Sequence, residues 1–161
     1  MFALATPVVI AELGWMTMGM VDTLMVGRLG PEAIGAVGLG SALFIAIGIF
    51  GMGMLLGLDT LVSQSFGAGR LDECHRWLVH GLFLSVLLTV PTTLLLFWVN
   101  ARLDRWGMNP EVLRLTRPYL AAIAWSTLPL LVYFALRRYL QGLGAVRPIM
   151  VTLILLSLIH I

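Results

Sequence analysis

Apolar residues fill this chain in long uninterrupted blocks separated by short polar turns, rather than alternating with polar residues as on a water-facing surface. From Phe2 to Gly27 the only charges are Glu12 and Asp22, and from Ala33 to Leu58 there is none. Further blocks follow at about 77–99, 118–136 and 148–161. Because about 20 apolar residues cross the hydrocarbon core of a bilayer as a helix, the first four blocks predict complete transmembrane helices. The fifth, beginning at Pro148, is too short to span and predicts a truncated one. The second helical pattern extends from Glu32 to Phe66, so it must tilt or protrude from a core roughly 30 Å thick. Membrane-crossing strands are short, alternate in polarity and close into barrels. The fold class is therefore all-α and integral to the membrane.

The polar breaks read GRLGPE (27–32), GAGRLDECHR (67–76), NARLDRWGMNPEVLRLTR (100–117) and RRYLQGLGAVR (137–147). Each contains Gly, Pro, Asn or Asp, residues that end helices. Pro31 suits the first turn of a new helix, and Gly67 to Gly69 suit the end of the previous one. Asn109 to Arg117 predicts a short amphipathic helix at the membrane interface. Pro91 and Pro129 predict interruptions in the third and fourth helices.

Composition sharpens the picture. The chain is 60% hydrophobic and 11% charged, with a mean hydropathy of +0.99. Soluble domains carry about 25% charge. All ten basic residues are arginines, which removes the phosphate-binding lysine of a P-loop and Schiff-base chemistry. Arginines spread over the turns predict membrane-flanking charge rather than a nucleic-acid surface. Arg28, Arg102, Arg105, Arg114 and Arg117 fall on one side of the predicted topology; Arg70, Arg76, Arg137, Arg138 and Arg147 fall on the other. With equal numbers on the two sides, the positive-inside rule does not fix the orientation. A single cysteine, Cys74, allows no intramolecular disulfide and no multi-cysteine metal site. His75 and His80 belong to no constellation of acids and cysteines at metal-ligand spacing. No Ser-His-Asp or Cys-His pattern supports an enzyme. The N-terminus has no positive region and Glu12 interrupts its apolar run, so no cleaved signal peptide is expected.

Few residues remain that carry chemistry. Asp22 shares a helical stripe with Gly19, Trp15 and Glu12. It reads either as a protonatable group in a water-filled cavity or as a carboxylate satisfied by headgroup water or by hydroxyls such as that of Thr23. Pro7 allows the first helix to kink. Glu12 reads first as an interfacial group and, as the alternative, as an accessory polar group of a cavity. Asp59 begins a polar cluster with Ser63 and Gln64 that marks the second helix leaving the hydrocarbon, a structural role. Gly53 and Gly57 have the spacing of a small-residue packing face. Trp15, Trp125, Tyr133 and Phe134 are candidates to line a pocket for flat organic cations, or else packing and interface anchors.

Four patches occur together: TP at 6–7, VDTLMVGRLG at 21–30, LDTLVSQSFGAGR at 58–70 and LRRYLQGLGAVRPIM at 136–150. In their order and spacing the chain resembles the N-terminal portion of the multidrug and toxic compound extrusion (MATE) family of secondary transporters. The resemblance implies part of the N-terminal six-helix lobe of a twelve-helix, two-lobe fold, with the second lobe missing. It implies export of cationic amphipathic drugs or toxins in exchange for protons or sodium ions, with no other cofactor. It matches Asp22 to the aspartate implicated in cation coupling, Pro7 to the proline associated with bending of the first helix, and Gln64 with Gly67 to Gly69 to a structural helix end. It places the protein in the inner (plasma) membrane, multi-pass, with a cytoplasmic N-terminus and partners limited to small molecules and the bilayer. His160 stands where the family usually carries asparagine, and the fifth helix is unfinished at Ile161, so the chain is expected to be a fragment of a longer reading frame, with the native status of the residues near 157–161 left open. The rival classes are a lipid or polysaccharide flippase, for which basic residues should line the cavity, and a membrane scaffold that transports nothing. The first two predicted helices contain no intramembrane arginine, which favours cationic cargo.

Overall fold

The structure, a computed structural model, describes residues 2–145, 148–153 and 155, with the backbone alone described at 2–5, 7, 8, 11 and 15. Five α-helices follow one another: α1 (Phe2–Gly27), α2 (Pro31–Gly67), α3 (Leu71–Asn100), α4 (Pro110–Ala124) and α5 (Thr127–Gly142), with a short 3₁₀ turn at Leu103–Trp106. Residues 148–153 are also helical. Among the described residues there is no strand. By length and composition α2 and α3 can each cross a membrane, and α4 with α5, bent by 49° at their junction, can form a third, broken span. Together with α1 these make an all-helical, multi-pass membrane protein.

α2 is the central element, packed against α1, α3, α4 and α5. At about 1.5 Å per residue it is roughly 55 Å long. Its buried residues, Ala33, Ala36, Gly40, Gly48, Gly51, Leu55, Leu58, Val62 and Ser65, recur at helical intervals and form one stripe along its length. Two apolar clusters lie on that stripe. One joins Leu55, Leu58 and Val62 of α2 to Cys74 and Leu88 of α3 and to Leu131 and Ala135 of α5. The other joins Leu96 and Val99 of α3 to Leu113, Leu120 and Ala124 of α4, with Leu43, Phe44 and Ile47 of α2 against them.

Lipid tails are as apolar as leucine, so helices in a bilayer associate through close packing at small residues and through interhelical hydrogen bonds. Both occur here. Gly81 of α3 admits the Leu58 side chain so closely that a Cβ would stand 2.7 Å from Leu58 Cδ2, and Gly142 of α5 admits Val62 so closely that a Cβ would stand 2.8 Å from its Cβ. The buried Ser85 hydroxyl lies 2.8 Å from the Gly81 carbonyl of its own helix and 3.1 Å from the Leu131 carbonyl of α5. By contrast, among the described residues nothing lies within 4 Å of a Cβ built on Gly53 or Gly57. This is a correction to the packing face predicted at Gly53 and Gly57. Their spacing is right, but they sit off the buried stripe, on an exposed face of α2.

α3 begins at Leu71, inside the polar stretch 67–76, rather than at about 77, and two further boundaries differ from the sequence pattern. The fourth segment does not begin at Pro118 after a separate interfacial helix at 109–117. Asn109 caps a single helix by accepting a 2.9 Å hydrogen bond from the Glu111 amide, and Pro118 lies inside α4. The break comes instead at Trp125–Ser126. There the Trp125 and Ser126 amides bond three residues back, to Ala122 and Ile123, and Pro129 has no N–H to offer the Trp125 carbonyl. Pro91, in contrast, is carried within a continuous α3. The second difference is that RRYLQG is not a turn. α5 continues through it and stops at Gly142, where Gly144 adopts φ +72° and the Ala145 amide reaches back 2.9 Å to the Leu140 carbonyl, a glycine-terminated helix end. Arg137 and Arg138 are thereby moved from the surface loop into the helix.

Candidate functional cavity

A cavity of about 560 Å³ opens between α1, α2, α4 and α5. Its walls are mostly apolar and aromatic, with Phe44, Ile45 and Met52 from α2, Tyr119 and Ile123 from α4, and Leu130 and Phe134 from α5. Its polar groups are Glu12 and Asp22 of α1, Ser41 of α2, Ser126 at the α4–α5 break and Arg137 of α5. A second space of about 300 Å³ lies beside it, toward the α1–α2 turn. Asp22, Ser41 and Tyr119 line both and so form the wall between them. The helical stripe read from α1 accounts for this: Glu12, Gly19 and Asp22 all face the cavities.

Asp22 is half-buried. The Thr23 hydroxyl beside it donates to the Gly19 carbonyl at 2.9 Å, so that proton is directed along the helix rather than toward the carboxylate. Opposite Asp22, the Ser41 and Tyr119 hydroxyls share a hydrogen bond of 2.9 Å, bridging α2 and α4. Gly40 is what lets the tyrosine approach, since a Cβ there would stand 2.5 Å from Tyr119 Cδ1.

The Glu12 carboxylate pairs with Arg137 of α5 within the cavity lining, a contact that the extra length of α5 makes possible. The Arg137 side chain is 9% exposed and the Glu12 side chain 50%. A guanidinium that deep in a helical bundle requires a carboxylate, because an unpaired buried charge costs several kcal/mol or more.

Other candidates fall elsewhere. Asp59 and Gln64 are not among the residues lining the cavity. The Asp59 carbonyl lies against Gly142, and Gln64 sits exposed in the last turn of α2, its carbonyl accepting the Ala68 amide at 3.1 Å. Trp125 is exposed and meets Phe97 edge-on at 6.0 Å. Tyr133 packs with Ile149 and Leu153 and makes an edge contact with Phe134 at 6.0 Å; only Phe134 of that pair enters the cavity wall. The side chains of Pro7 and Trp15, and all of His160, lie outside the described residues. Sequence reasoning missed Ser41, Tyr119 and Arg137. For Arg137 a signal existed, since no helix-breaking residue separates Leu136 from Gly142. For Ser41 and Tyr119, neutral groups inside apolar runs, there was none.

A family model described as MatE matches residues 7–161. The chain belongs to the MatE family. It is 31% identical over 158 residues to a probable multidrug resistance protein NorM from Synechocystis sp. (98% of this chain, 34% of the relative). It is 35% identical over 147 residues to a probable NorM of Synechococcus sp. (91% and 32%) and 33% identical over 147 residues to the multidrug resistance protein MdtK of Pectobacterium atrosepticum (91% and 32%). The chain spans about a third of the length of these MatE relatives. A MOP superfamily transporter from Pyrococcus furiosus, described with a binding pocket of reversed polarity, superposes with a TM-score of 0.88 at 24% identity, covering 96% of this chain and 34% of that one. That likeness carries the fold alone.

Proposed function

We propose that the whole protein is a secondary efflux transporter that exports cationic amphipathic compounds in exchange for protons or sodium ions, and that Asp22 is the coupling group of this MatE lobe. The observation that carries the reading is the position of Asp22 on the wall of a largely apolar cavity of about 560 Å³, within the size range of small-molecule sites. Aromatic rings of Phe44, Tyr119 and Phe134 line the same space and suit a flat organic cation. Among the described residues, Arg137 is the one basic group in that lining. Its charge is matched by Glu12, so the charged side chains of the lining sum to one negative charge. That balance supports a cationic cargo over the anionic headgroup that a lipid or polysaccharide flippase would have to accommodate.

The mechanism follows from competition. Two unit charges about 4 Å apart interact by about 4 kcal/mol at an effective dielectric near 20, so a proton or sodium ion on Asp22 and a drug cation beside it disfavour one another. Ion entry then releases cargo, and cargo entry releases the ion, provided that the cavity opens alternately to the two sides through movement of one structural repeat against the other. The protein would lie in the inner membrane with its N-terminus cytoplasmic. Ion-gradient-driven efflux by the whole protein in vesicles tests the reading. Asp22→Asn should abolish gradient-driven efflux at unchanged membrane insertion, and wild-type efflux from that variant would overturn the coupling role.

A further inference from the structure

The packing of α1 within the bundle is chiefly against α2, and Val9, Ile10, Leu13, Met16, Met20 and Leu24 along it are all exposed. At its C-terminal end it is tied to α2 by a turn of three residues, 28–30, and Gly27 rests 3.8 Å from Ile34, measured from a Cβ position. Ten residues earlier than Asp22, about 15 Å along the axis, Glu12 reaches across the cavity to Arg137 of α5. The cavity lies between these two attachments.

We infer that Glu12 and Arg137 are positioning residues, a latch that fastens the N-terminal half of α1 across the cavity to α5 and so fixes where α1 presents Asp22. The inequality of the two partners fits the task. Arg137 is nearly enclosed by α5 and its neighbours and is held in one place, whereas half of the Glu12 side chain is open to the cavity. Release therefore leaves a half-exposed carboxylate that water can solvate. The latch also consumes the charge of Glu12, which keeps the cavity from holding two competing carboxylates. With the latch broken, α1 samples positions in which the cavity is not assembled. The apparent affinity for cargo then falls by the fraction of molecules that remain competent. This role rests on the transport reading only for its consequence; the latch itself is a statement about the distance between α1 and α5.

The test uses the whole protein with spin labels on cysteines introduced at Val9 and Leu136, both exposed, Cys74 being buried and left in place. Glu12→Gln should broaden and lengthen the α1–α5 distance distribution. The exchange Glu12→Arg with Arg137→Glu should narrow it again. In vesicles, Glu12→Gln should raise the half-saturating concentration of a fluorescent monocation such as ethidium by roughly fivefold or more, with a smaller effect on the maximal rate. If Glu12→Gln yields no folded protein, Arg137→Gln makes the same comparison, because it leaves only a half-exposed carboxylate. A distance distribution in the broken-pair variant that superimposes on wild type overturns the latch. Absence of ion-driven efflux from the wild-type protein would overturn the transport reading instead, and would leave the distance result standing.

Discussion

Tyr119 lies edge against the backbone of Gly40, with its hydroxyl 2.9 Å from that of Ser41 one residue further along α2. The contact joins α4 to the central helix at the place where the two cavities meet, and it depends on the absence of a side chain. A Cβ at position 40 would stand 2.5 Å from Tyr119 Cδ1 and 2.9 Å from Cε1, well inside van der Waals contact, and a ring fixed at both ends has little freedom to yield.

Gly40→Ala should accordingly displace Tyr119, break the bond to Ser41 and destabilise the protein by about 1–3 kcal/mol, the usual cost of overpacking. Thermal unfolding in detergent measures it. An unchanged melting temperature together with unchanged efflux would mean that α4 can shift away from α2 without consequence.

Tyr119→Phe removes the hydroxyl and keeps the ring. Hydrogen bonds between membrane helices contribute about 0.6 kcal/mol on average, and Ser41 keeps access to cavity water. The variant should therefore melt close to wild type and retain ion-driven efflux, in contrast to Asp22→Asn. Loss of efflux in Tyr119→Phe would assign that hydroxyl a part in transport beyond bracing the wall.

Gly142→Ala and Gly53→Ala make a matched pair. At Gly142 a Cβ would meet Val62 Cβ at 2.8 Å and the Asp59 carbonyl oxygen at 3.0 Å, whereas at Gly53 it would meet nothing within 4 Å among the described residues. The first should lose about 1–3 kcal/mol and the second should change stability little. Equal melting temperatures for the two variants would contradict the packing of α5 on α2.

Much of the architecture was legible in the order of residues alone. Long charge-free runs identify helices that cross a membrane, because a bilayer tolerates neither unpaired backbone nor unpaired charge. The GAG and GLG turns mark helix ends through backbone angles open to glycine: Gly69 at φ +73° and Gly144 at φ +72°. The stripe of Glu12, Gly19 and Asp22 likewise follows from helical spacing, and its carboxylates do face one cavity. What failed was reading charge as loop. Two adjacent arginines after an apolar run resemble a membrane flank, but nothing in RRYLQG stops a helix before Gly142.

The sequence by itself determined the class of molecule, the course of α1 and α2 and the face of α1 that bears acids, since all of these follow from local periodicity and the cost of burying charge. Only the tertiary structure decided that Glu12 belongs with Arg137, 125 residues away, that Ser41 and Tyr119 meet, and which glycines admit a neighbour. Each of these is settled by the distance between helices, and that distance depends on the side chains of both partners at once. The spacing of Gly53 and Gly57 on α2 carries no information about which way that helix is turned; the buried stripe that packs on α3, α4 and α5 does.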